Sequence, residues 1–145
     1  MVISGLAEFV EKAVTAAKEK GVKKVIPLNV SAPFHSRLMT PVAEKLRERF
    51  DAYKWSEPAW PIVCNATAEP ESSADGLRKS LFTQTYSPVR WVDSVVKMAE
   101  DGVDTFLELG PGEVLSGLIK RCRKGLTVMA ACAPDKLELM AKAIS

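Results

Sequence analysis

The 145-residue sequence is 47% hydrophobic and 26% charged, with a formal net charge of +2. This is ordinary globular composition, long enough for one core and too short for two full-sized domains. So small a charge, with no basic tract interleaved with aromatics, gives no electrostatic case for nucleic acid. No apolar run approaches the about 20 residues of a membrane span, and no secretory pattern opens the chain, so a soluble cytoplasmic protein is expected.

In chain order, residues 2–4 read as a short strand end and Gly5 as the turn into a helix, where Leu6, Phe9, Val10, Ala13, Val14 and Ala17 recur at helical spacing. Gly21 stops that helix. The apolar run 25–30 suits a buried strand, and the loop Ser31-Ala32-Pro33-Phe34-His35-Ser36 follows it. A second amphipathic helix carries Leu38, Val42, Leu46 and Phe50 on one face and ends near Tyr53. Pro58 and Pro61 punctuate an extended passage into a strand over 62–65, and 67–73 reads as a surface loop. The pattern then predicts helices over 74–85 and 89–100, a turn at Asp101-Gly102 and a strand over 103–109. The turn Gly110-Pro111-Gly112 leads to a helix over 113–123, a strand over 126–131 and a helix over 135–144. Strands alternating with helices of this length point to α/β architecture with a largely parallel sheet. Because residues 2–4 resemble a strand cut short, an earlier portion is expected to be missing.

The three cysteines, Cys64, Cys122 and Cys132, are odd in number and widely spaced, which suits buried reduced thiols acting as small hydrophobes. With one histidine and no paired cysteines, a zinc centre lacks ligands, and no metal is expected. His35, the single histidine, stands in a Pro-stiffened loop between an apolar strand pattern and a helix. Loops at the C-terminal ends of parallel strands are where α/β proteins place reactive groups. A lone histidine is also commonly structural. The sequence has no G-x-S-x-G nucleophile elbow, and Leu115-Ser116-Gly117 lies within a helical pattern. Either His35 is not catalytic, or its partner lies on another segment.

Gly110-Pro111-Gly112-Glu113 lacks the spacing of a dinucleotide fingerprint or P-loop. It reads as a sharp strand-to-helix turn in which Glu113 complements the helix dipole. Lys120, Arg121, Arg123 and Lys124 gather at the end of the following helix. That is a favourable place for cations at a helix C-terminus and, alternatively, a docking surface for an acidic protein.

Three segments in order carry a resemblance: Val30-Ser31-Ala32-Pro33-Phe34-His35-Ser36, then Gln84-Thr85-Tyr86-Ser87-Pro88-Val89-Arg90-Trp91, then Phe106-Leu107-Glu108-Leu109-Gly110-Pro111-Gly112-Glu113-Val114-Leu115. Together they resemble the malonyl-CoA:acyl-carrier-protein transacylases of fatty-acid synthesis, over essentially the whole chain. The resemblance implies the C-terminal part of an α/β-hydrolase-like core. Residues 1–30 would be the second half of a ferredoxin-like small subdomain, and 31–145 the core portion. It implies a ping-pong transfer of malonyl from coenzyme A to the phosphopantetheine thiol of acyl carrier protein, with no further cofactor. His35 matches the family's catalytic base, and the main-chain carbonyl that orients the imidazole falls on Gln84. Phe34 matches the residue that crowds the acyl pocket. Lys120, Arg121, Arg123 and Lys124 gain weight as a docking surface, since acyl carrier proteins are acidic. The nucleophilic serine, the oxyanion-hole segment and the arginine that pairs the malonyl carboxylate belong to the family's first half and match nothing here. This chain is therefore expected to supply the histidine half and to be inactive by itself. A non-catalytic carrier-binding module or a truncated remnant is the alternative.

Overall fold

The computed structural model of the chain describes residues 1–144. The chain folds as two compact units: Met1–Ala66 with Pro70–Val89, and Thr67–Glu69 with the stretch from Arg90 onward. In the first unit, helix α1 (Ala7–Glu19) forms where the apolar spacing predicts it. Gly21 ends it at φ +90°, a left-handed conformation that glycine adopts without a Cβ penalty. The apolar stripe of α1 stays open, since the helix buries no residue and Phe9 is exposed.

The strands expected at 2–4 and 25–30 do not form, and Val2, Ile3, Val25, Ile26, Leu28 and Val30 are exposed. An apolar, β-branched run becomes a strand only where a neighbour offers N–H and C=O groups to pair with. Among the described residues no segment pairs with either stretch.

A 3-10 turn (Arg37–Met39) enters α2 (Thr40–Asp51), with Pro41 in the first turn, where a missing N–H breaks no helical bond. Met39 and Ala43 are buried and Leu46 and Phe50 half-buried, while Leu38 and Val42 are exposed. Only the start of the buried face is thus one residue round from the expected one, at Met39 and Ala43, where the tighter 3-10 turn enters the helix, while Leu46 and Phe50 fall where expected.

Strands β1 (Ile62–Val63) and β2 (Pro70–Glu71) form a short antiparallel pair, so part of the expected loop 67–73 is strand. Helix α3 (Ala74–Gln84) begins at Ser73, whose Oγ accepts the Gly76 N–H at 3.0 Å. The Glu57 carboxylate accepts the Ala74 N–H at 2.9 Å. Two of the four orphan donors of the helix are thereby satisfied. Helices α2 and α3 pack together, and Arg78 of α3 reaches Asp51 of α2 at 2.5 Å.

The second unit contains α4 (Trp91–Glu100), β3 (Thr105–Leu109), α5 (Val114–Cys122), β4 (Thr127–Ala131) and α6 (Pro134–Ile144). Strands β3 and β4 are parallel, in register from Thr105 opposite Thr127 to Leu109 opposite Ala131, with α5 as the crossover. Its core is Val95, Phe106 and Ile119, ringed by Trp91, Met98, Cys122, Leu126 and Val128. The α/β class therefore holds. The largely parallel sheet, however, reduces to one parallel and one antiparallel pair. Cys64 is buried and Cys122 half-buried, but Cys132 is exposed, against the expectation of buried thiols. It follows Ala131, the last paired residue of β4, and starts the turn into α6. No helix among the described residues is long and apolar enough to cross a membrane.

Candidate active site

The His35 loop is a tight turn built on local hydrogen bonds. The Phe34 N–H donates to the Ala32 carbonyl at 2.9 Å, and the Met39 N–H to the Ser36 carbonyl at 2.9 Å. Between them the Ser36 hydroxyl donates to the Pro33 carbonyl at 2.7 Å. Buried Met39 anchors the downstream end. This turn holds His35 at φ +59°, the left-handed region that non-glycine residues rarely occupy.

The His35 ring is exposed, and its Nδ1 lies 3.0 Å from the Gln84 carbonyl oxygen. A carbonyl can only accept, so Nδ1 carries the proton and Nε2 keeps its lone pair for a reacting group. Why this carbonyl is available follows from how α3 ends. Thr85 and Tyr86 donate their N–H groups to the Phe82 and Thr83 carbonyls at 3.3 Å, and the Thr85 hydroxyl takes the Leu81 carbonyl at 3.3 Å. Gln84 is the next carbonyl in the row, one of the orphans that every helix C-terminus leaves. The structure thus brings together the two residues that the resemblance paired, 49 positions apart. Phe34, beside His35, is 46% exposed, so its ring is free to line a pocket edge.

The Gly110-Pro111-Gly112 turn is sharp as expected, with φ +134° at Gly110 and +89° at Gly112. Glu113, however, makes no capping bond to the helix it precedes and instead pairs with Lys136 at 3.3 Å. The cap is Glu108 from β3, whose carboxylate accepts the N–H groups of Leu115 at 3.0 Å and Ser116 at 2.7 Å. The Ser116 hydroxyl beside it, together with the Ser116, Leu115 and Val114 N–H groups, holds the Glu108 carboxyl below its usual range. The helix N-terminus is occupied by the protein's own anion, which leaves no cradle for a phosphate there. Sequence reasoning missed Glu108. The one signal was a carboxylate in an otherwise apolar strand, just ahead of a glycine-flanked helix start.

Lys120, Arg121, Arg123 and Lys124 are all exposed. Among the described residues none of them forms an ion pair, and Arg121 instead donates to the Gly117 carbonyl at 3.1 Å.

The chain is thus a mixed α/β protein that presents one exposed imidazole, its Nδ1 held by a main-chain carbonyl and its Nε2 free to exchange a proton. No protein-family model matches the chain. Individual proteins do. The chain is 45% identical over 139 residues to the malonyl CoA-acyl carrier protein transacylase of Bacillus subtilis, covering 96% of this chain and 44% of that protein. It is 41% identical over 137 residues to the enzyme of the same name from Escherichia coli K12, covering 94% and 44%. Among solved structures, a type II PKS acyl-carrier protein in complex with its malonyl-transacylase matches with a TM-score of 0.88 at 39% identity, over 94% of this chain and 44% of that one. The acyl-carrier-protein S-malonyltransferase of Bartonella henselae matches with a TM-score of 0.90 at 33% identity, over 95% and 44%. Over 94–96% of its own length the chain is thus similar to malonyl CoA-acyl carrier protein transacylases, and it spans about 44% of the length of the curated relatives it matches.

Proposed function

We propose that this chain is the histidine-bearing part of an acyltransferase that moves malonyl from coenzyme A to the phosphopantetheine thiol of acyl carrier protein. The reading rests on the 3.0 Å bond from His35 Nδ1 to the Gln84 carbonyl, found in a chain whose relatives are named for this transfer. The nucleophilic serine belongs to a segment outside these residues. The His35 Nε2 lone pair takes the serine proton as its oxygen attacks the malonyl thioester. The imidazolium then returns that proton to the departing coenzyme A sulfur, leaving a malonyl ester on the serine. In the second half-reaction Nε2 takes the proton of the phosphopantetheine thiol, whose sulfur attacks the ester, and the proton goes back to the serine oxygen. Phe34 crowds the acyl group and disfavours branching at its α-carbon. In this reading residues 1–30 complete a ferredoxin-like subdomain, and residues from 31 onward complete an α/β-hydrolase-like core.

A carrier-binding role for the same chain is favoured by the exposed cations at the end of α5, none of which forms an ion pair among the described residues. Acyl carrier protein is acidic, and Lys120, Arg121, Arg123 and Lys124 offer it complementary charge.

The division of labour is tested by intact mass. Incubated with malonyl-CoA, the 15.8 kDa chain is expected to remain at its own mass. A stable malonyl adduct would place a nucleophile within these residues and overturn the division.

A further inference from the structure

We propose that Ser36 is a positioning residue for His35, acting through the turn rather than on the substrate; this rests on His35 being the base. Three observations meet here. His35 sits at φ +59°, where an L-residue other than glycine is held against its steric preference. The Ser36 hydroxyl, half-buried, donates to the Pro33 carbonyl at 2.7 Å and so ties the residue after His35 to the residue two before it. The imidazole ring is held by one bond, Nδ1 to the Gln84 carbonyl at 3.0 Å. The ring therefore has one anchor on its side chain and one on its backbone, and Ser36 is the backbone anchor. Pro33 contributes a carbonyl but no N–H, so the clamp across this turn is side chain to main chain.

Without the Ser36 bond, the Phe34–Ala32 and Met39–Ser36 main-chain bonds remain, but neither brackets His35, so relaxation to negative φ is opposed less. Such a change swings the Cα–Cβ vector, and the imidazole cannot then keep both the Gln84 bond and the direction of Nε2. Strained backbone held by surrounding bonds is a recurrent way of presenting a reacting group. The loss is expected on the chemical step, because the Ser36 hydroxyl is engaged by the Pro33 carbonyl within the turn.

The test uses the transacylase that contains this chain, with Ser36→Ala, Ser36→Thr and His35→Ala compared with the parent. Ser36→Ala is expected to lower kcat by about tenfold to a hundredfold, as ångström-scale misplacement of a catalytic group does, with KM for malonyl-CoA unchanged. Ser36→Thr, which keeps the hydroxyl, is expected to restore most of kcat. Melting temperature and far-ultraviolet circular dichroism identify a variant that fails to fold, and the threonine variant then decides by the kcat it retains. If His35→Ala abolishes transfer while folded Ser36→Ala keeps the parental kcat, the positioning role is overturned and the base assignment stands. A fall in kcat that threonine does not restore overturns it as well. If His35→Ala itself retains full transfer, the reading of His35 as the base fails.

Discussion

At the scale of single residues, Phe34 offers a direct test of the proposed acyl pocket. Its ring is 46% exposed on the residue next to the imidazole, so under the proposed function it is available to the acyl group. If it is the wall that excludes a methyl at the α-carbon, Phe34→Ala removes that wall and leaves the His35–Gln84 bond alone. The ratio of methylmalonyl to malonyl transfer is then expected to rise on the order of tenfold, the discrimination that one methyl group typically supports. An unchanged ratio in competition assays, with malonyl transfer preserved, would remove Phe34 from the pocket. At this scale the contact of His35 with the Gln84 carbonyl was legible in advance, because an ordered set of motifs paired the two residues. The sequence was not readable for Glu108 or Ser36. Their roles lie in hydrogen bonds to main-chain atoms, which residue identity does not encode until the turn has formed.

At the scale of elements, helix α5 shows how a helix end is secured from outside its own sequence. Glu108 reaches from β3 to the Leu115 and Ser116 N–H groups, replacing the cap that Glu113 does not provide. The Ser116 hydroxyl and these N–H groups lower its carboxyl pKa from the ordinary 4.5. Because the folded-state value lies below the unfolded one, the carboxylate contributes stability that is fully present above about pH 4.5 and is lost as pH falls through the depressed value. Glu108→Gln is expected to melt below the parent at pH 7, with the gap closing as the solution is acidified through that range. A gap that persists unchanged down to the lowest pH would mean that the charge is not what secures the helix. The helices and the parallel pair were legible as patterns, with ends displaced by a residue or two. The strands expected at 2–4 and 25–30 were not, since periodicity reports what a segment can bury and not whether a partner strand is there to pair with it.

At the scale of the whole molecule, those two unpaired stretches become the governing feature. Val25, Ile26, Leu28 and Val30 are 38%, 64%, 57% and 60% exposed, and their backbone carries no ladder bonds among the described residues. An apolar run with open N–H and C=O groups is a template for pairing with another chain. Leu6, just before α1, and Phe9, in its first turn, are exposed as well and extend the apolar inventory. The chain spans about 44% of the length of its curated relatives, and in it these apolar surfaces stand open. Light scattering on the 145-residue chain is therefore expected to show concentration-dependent association. Replacing Ile26 and Leu28 together by glutamate should shift the distribution toward monomer, since neither side chain is buried and like charges oppose edge-to-edge pairing. Clean monomeric scattering by the parent across the micromolar range would show that this run is tolerated in water. Association that the double substitution leaves untouched would place the sticky surface elsewhere, with the α1 stripe the next to alter.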